Sequence, residues 1–194
     1  LIPEIVDWSA GSSGAAPGPP ASEAGDLAVV WTGNAGNSVM VTTPAGWTAV
    51  GSATGAPTAT LVAKLCFRIN TSDNQTMGGF VGSGRIIGMA WRNARLESGG
   101  DMNGVVQVTG SGGAFDYPAL TMTEPSLVLL GHLSDDIEVH GWPAGFTQVV
   151  SYSSPAIAVA LSDTELTSWA GASVSQTGSQ LGITFSLAVL GALG

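Results

Sequence analysis

The sequence predicts an all-β chain, one antiparallel β-sandwich of jelly-roll-like type made of two pseudo-repeated halves. Three observations carry that expectation: apolar side chains alternate with a period of two, turn residues punctuate the chain at short intervals, and one motif recurs 99 residues after its first appearance, at Pro44 and again at Pro143. A period of two is what a strand with one buried face requires. It is clearest in Thr60–Ile69, where Leu61, Ala63, Leu65, Phe67 and Ile69 alternate with Thr60, Val62, Lys64, Cys66 and Arg68. In 181–189, Leu181, Ile183, Phe185, Leu187 and Val189 alternate with Gly182, Thr184, Ser186 and Ala188. Shorter strands are expected near 27–32, 38–42, 47–52, 85–91, 104–108, 119–123, 126–133, 146–152 and 156–161. No segment keeps a helical period, and the one short helix or turn expected is 162–170, with Asp163 placed as its cap.

The repeat organises these strands. Pro44-Ala45-Gly46-Trp47-Thr48-Ala49-Val50 returns as Pro143-Ala144-Gly145-Phe146-Thr147-Gln148-Val149. Asp26-Leu27-Ala28-Val29-Val30 matches Ser126-Leu127-Val128-Leu129-Leu130, and Gly82–Gly88 roughly matches 178–183. Each half, about 25–110 and 111–194, offers about four strands and cannot cover its own apolar face, so the two are expected to share one core of about eight strands. Ahead of them, 11–24 is a Gly/Ser/Ala/Pro segment without periodicity, expected as a linker or extended arm. Before it, Ile2–Trp8 is either an edge strand of the main sheet or an arm reaching a neighbour.

Composition narrows the function classes. Charged residues are 10% of the chain, against about 25% in an average domain. With Gly at 28 of 194 and a mean hydropathy of +0.33, the polar surface has to be built mainly from Ser, Thr, Asn and Gly. Such a surface is cheap to desolvate, which points to self-association or assembly. The net charge of −9 argues against nucleic acid and against anionic membranes, both of which need clustered Lys and Arg. No apolar run approaches a membrane span, and residues 1–24 carry no basic stretch leading into an apolar one, so no signal peptide is expected. A single cysteine, Cys66, excludes an internal disulfide.

The ordered set Gly25-Asp26-Leu27-Ala28-Val29-Val30, Pro44-Ala45-Gly46-Trp47-Thr48, Leu61-Val62-Ala63-Lys64 and Met89-Ala90-Trp91-Arg92-Asn93 resembles a family of jelly-roll-like structural proteins of tailed phages and gene transfer agents. The resemblance spans about 25–194 and implies a virion component: a capsid decoration or cement protein, a head fibre, or a tail-fibre domain. It implies other virion proteins as partners and the particle surface as location, and it brings no catalytic residues.

Few residues of the chain are candidates for chemistry. His132, Asp135, Asp136, Glu138 and His140 lie within nine residues and offer oxygen and nitrogen ligands, yet match no EF-hand or HExxH spacing. A solvated acidic loop following the strand that ends near Leu133 is the plainer reading. No Gly-x-Ser-x-Gly turn exists; Gly82-Ser83-Gly84 lacks the helix a phosphate loop needs, and no pair among the 14 acidic residues stands out. Lys64 and Arg68 flank Cys66 on one strand face and would lower its pKa, but a small buried hydrophobe is the simpler role for a strand cysteine. Trp31 and Trp91 are expected in the core or at its rim, and Trp47 and Phe146 where their turns enter the next strand. Trp142, next to the acidic loop, is the candidate exposed platform for a surface glycan, with Asp135, Asp136 and Glu138 as its hydrogen-bonding groups. The expectation is therefore a non-enzyme with no cofactor.

Overall fold

A computed structural model describes residues 1–36, 39–54, 61–96, 102–109, 113–134, 141–152, 157–175 and 182–193. Among these residues there is no helix. The strands are β1 (Glu4–Ser12), β2 (Leu27–Ala35), β3 (Thr48–Thr54), β4 (Leu61–Ile69), β5 (Arg85–Arg92), β6 (Ala94–Arg95), β7 (Gly104–Thr109), β8 (Ala114–Tyr117), β9 (Ser126–Ser134), β10 (Phe146–Tyr152), β11 (Ile157–Ser162), β12 (Ala172–Ser175) and β13 (Gly182–Gly191). The first sheet runs β1-β5-β2-β4-β3 and the second β10-β11-β9-β13, with β7 and β6 sharing the far edge of β13. A small β12-β8 sheet stands apart, and every pairing is antiparallel.

The expected sandwich of matching halves is present. The order β5-β2-β4-β3 in the first sheet is the order β13-β9-β11-β10 in the second. Both copies of the repeated motif close the same turn: the Trp47 amide donates to the Pro44 carbonyl and the Phe146 amide to the Pro143 carbonyl, each at 3.2 Å. Gly46 and Gly145 hold φ of 82° and 83°, a left-handed conformation open to glycine without penalty. After the turn both strands bulge at equivalent positions, β3 between Ala49 and Gly51 and β10 between Gln148 and Val150. Strand β1 is also bulged, between Ile5 and Asp7. Each half builds one of the two large sheets, so the path crosses between those two sheets after β5, where a jelly roll would cross repeatedly.

The sheets stack with β2 over β9, β4 over β13 and β5 over β11, while β3 comes alongside β7. Leu27, Val29, Trp31, Leu65, Ile87 and Met89 from the first sheet interleave with Leu129, Leu133, Val159, Ile183, Phe185 and Leu187 from the second. At the centre the Trp31 and Phe185 rings lie 4.8 Å apart, and Trp31 Nε1 donates to the His132 carbonyl at 3.1 Å.

The outer faces are covered too. Over the first sheet Ala16, Val41, Trp47, Met77 and Phe80 cluster with Val30, Val62 and Cys66. Over the second, Phe115, Tyr117 and Leu120 cluster with Val128, Leu130 and Ala188. Strands β2, β9 and β13 are therefore buried on both sides, including the lighter face of β13. There the Thr184 hydroxyl donates to the Asp116 carbonyl at 2.6 Å, and Ser186 Oγ accepts from Trp169 Nε1 at 3.1 Å. Two-sided burial gives the high hydropathy and scarce charge an internal cause, before any assembly is invoked.

Four expectations change. The 11–24 segment is no free arm: β1 pairs with β5 along its length, as an edge strand would, and Ala16 exchanges backbone hydrogen bonds with Met77 at 2.9 and 3.1 Å. Ser9 Oγ donates to the Pro17 carbonyl at 2.6 Å, and Ala16 and Ser22 are buried. The segment lacks apolar surface of its own, but it borrows that of the sheet beneath. Second, the halves divide near residue 93, since β6 and β7 pair with β13 and not with the first sheet. Third, residues 39–42 and 119–123, expected within strands, are loops bonded to neighbouring loops, Thr42 to Val81 and Leu120 to Trp169, and position 38 lies outside the described residues. Fourth, the described chain at 162–170 ends β11 and turns; Asp163 accepts from the Thr147 hydroxyl at 2.7 Å, bracing that turn against β10 and capping no helix.

Candidate functional site

The period of two along β9 sends Leu129 and Leu133 into the core, and Val128, Leu130 and His132 to the outer face of the second sheet. The β8–β12 sheet covers that face. Phe115 and Tyr117, two apart on β8, point the same way onto His132. Trp142 approaches from the chain leading into the Pro143 turn.

The result is an aromatic box around one imidazole. His132 is 2% exposed. Tyr117 Oη and His132 Nδ1 are 3.0 Å apart and share a buried hydrogen bond. The Trp142 ring stacks on the imidazole at 4.8 Å with 26° between planes, Phe115 meets it at 5.0 Å, and Tyr117 lies 5.7 Å from Trp142. Trp142 Nε1 donates to Gln148 Oε1 on β10 at 3.1 Å. Burial pushes the Tyr117 phenol well above the ordinary range, so the group stays a neutral hydrogen-bonding partner. The tautomer of His132 decides which of the two donates.

Of the residues singled out from sequence, the structure brings together His132 and Trp142; Asp135, Asp136, Glu138 and His140 lie outside the described residues. His132 does not belong to a solvated loop: it sits inside β9 beneath three rings. Nor is Trp142 a free platform. It is half-buried, with one face against His132 and its indole N–H committed to Gln148. Among the described residues no group of three or more His, Cys, Asp and Glu is gathered to hold a metal. Sequence reasoning missed Phe115, Tyr117 and Gln148; the alternation in Phe115-Asp116-Tyr117 was the available signal.

Beside each copy of the repeated turn lies a further aromatic pair. Trp47 meets Phe80 edge-on at 5.2 Å with the Arg68 guanidinium 4.4 Å above its ring, and in the second half Phe146 meets Trp169 at 5.0 Å. Burial lowers the Arg68 pKa from its ordinary value. Cys66 lies under this layer. Burial pushes its thiol up to about 11, outweighing the opposing pull of Lys64 and of Thr43, so the flanking cations do not activate it.

The aromatic arrangements on both faces act as lids over β-sheets: they bury apolar surface and fix the loops that cover it. No family model, curated protein or solved structure matches the chain.

Proposed function

We propose that the protein is a non-enzymatic structural component of a phage-like particle, packing against its own copies and other virion proteins. The observation that supports this reading best is the side of the sandwich where β3 meets β7. Thr48–Thr54 and Gly104–Thr109 run side by side without one charged residue, and Val105 and Val108 are exposed on them. On a chain of net charge −9 such a side is the natural place for copies to approach, because depletion of charge marks the centre of protein interfaces. The family likeness read from the sequence supplies the setting; the N-terminal segment contributes as part of the folded surface and not as an arm.

The test is particle composition. Purified particles from the producing strain are expected to hold the chain in many copies, and Ser52→Lys with Val105→Lys is expected to cut its incorporation at least tenfold while leaving the soluble chain folded. Absence from particles, or unchanged incorporation of the double variant, refutes the proposal. The competing reading, glycan recognition by Trp142 with Asp135, Asp136 and Glu138, starts from a tryptophan already engaged by His132 and Gln148. Binding on a glycan array that Trp142→Ala abolishes would establish it in place of the assembly reading.

A further inference from the structure

We propose that residues 1–93 and residues 94 onward are partner subunits joined in one chain, a fused pseudo-two-fold dimer whose halves have become specific for each other. Three observations lead there. Each half owns a complete sheet and its outer cover: the first sheet and the lid over it come from before residue 93, and the second sheet with β8 and β12 from after it. The stacking is that of an isologous contact. Exchanging the halves turns β2 into β9, β4 into β11 and β5 into β13, so the β4–β13 contact maps onto the β11–β5 contact, and β2 over β9 maps onto itself.

The third observation is where the symmetry is broken. By the strand alignment, Trp31 of β2 has Gly131 of β9 as its counterpart. Trp31 fills the centre of the interface, and the glycine leaves room for it: a Cβ on Gly131 would run into the Phe185 ring, which itself lies 4.8 Å from Trp31. Two first halves would set tryptophan against tryptophan, and two second halves would leave the centre unfilled. Bulk against absence of bulk is how an interface rejects the like pair and keeps the unlike one.

The test cuts the connection between the two halves of the chain. A protease site inserted within residues 97–101 is cleaved under native conditions. The fragments are expected to co-elute at the volume of the intact chain in a 1:1 ratio, with the near-UV signal of Trp31 retained. Their urea midpoint should rise with protein concentration, since association has become bimolecular. Fragments that separate, or that re-form as like pairs, overturn the proposal. A second chain guards against an insertion that fails to fold. The Leu1 nitrogen lies 3.0 Å from the Ala192 carbonyl, so joining these ends through a short Gly/Ser linker and opening the chain within 97–101 gives a permutant. Under the proposal it folds with the same concentration-independent midpoint as the parent; a permutant that does not fold counts against it.

Discussion

Replacing Gly46 and Gly145 by alanine, singly and together, tests whether the two turns are physically the same object. Both glycines sit at positive φ, 82° and 83°, and a Cβ on either meets nothing within 4 Å. The substitution therefore adds backbone strain and no clash. Left-handed backbone costs an L-residue about 1–2 kcal/mol, of which roughly 0.4–1 kcal/mol is returned because alanine also stiffens the unfolded chain. The net expectation is about 1 kcal/mol at each site. Trp47 and Phe146, which follow the two turns, belong to opposite outer layers, so the double variant should lose the sum to within about 0.5 kcal/mol. Urea unfolding followed by far-UV circular dichroism measures this, and thermal scans should show a fall of roughly 2–4 °C per substitution. Asparagine, which tolerates the left-handed region, should cost less than alanine at both positions. Two single variants differing by more than about 1 kcal/mol, or asparagine no better than alanine, would refute the reasoning.

Further outcomes follow from the core. Trp31→Phe removes the hydrogen bond to the His132 carbonyl, about 1 kcal/mol, and leaves on the order of 40 Å³, roughly another 1 kcal/mol; a loss under 0.5 kcal/mol in urea would show that Trp31 does not tie the sheets together. Gly131→Ala should cost about 1–3 kcal/mol through its collision with Phe185, and Phe185→Leu in the same chain should recover part of that, which a double-mutant cycle reads directly. Cys66 should resist alkylation at pH 8 until denaturant is added, because a thiol at about 11 is ionised there to roughly one part in a thousand. The same shift sets a pH slope. The native thiol keeps its proton above pH 9 while the unfolded thiol loses it, so stability falls between about pH 9 and 11 by up to about 1.4 kcal/mol per unit, and Cys66→Ala should lack this component.

The strands most visible in the sequence are those whose two faces differ in chemistry. Leu61–Ile69 carries Lys64 and Arg68 on one side and only apolar residues on the other, so its alternation survives in the letters. The repeat was legible because its turn needs glycine at one backbone angle and an aromatic beyond it, a demand local enough to persist in both halves. The 11–24 segment was illegible for the opposite reason. It is ordered by contacts with Met77, Phe80 and Asn74, some sixty residues away, and nothing within it announces them. Strands β8 and β12 are four residues each, and the single alternation in Phe115-Asp116-Tyr117 is too brief to mark a strand by itself. At the candidate site, the cluster of acids drew attention to a loop, while His132 belonged to the strand before it. Its neighbours Phe115 and Tyr117 come from β8, seventeen and fifteen residues upstream, and their convergence is a property of how β8 lies over β9.

The bulges in β1, β3 and β10 reach beyond local geometry. These are three of the four outer edges of the two large sheets, the β6–β7 edge of the second sheet being the fourth, and each of the three carries an extra residue that breaks the even spacing of its free amides and carbonyls. On β1 the side chain of Asp7 also takes the Trp8 amide, at 2.8 Å. A sheet so finished is a poor template for another chain to zip onto. At high local concentration, copies would therefore meet through side chains and loop surfaces rather than by sharing a ladder, and would come apart again as intact folded units, without the irreversibility of fibrous growth.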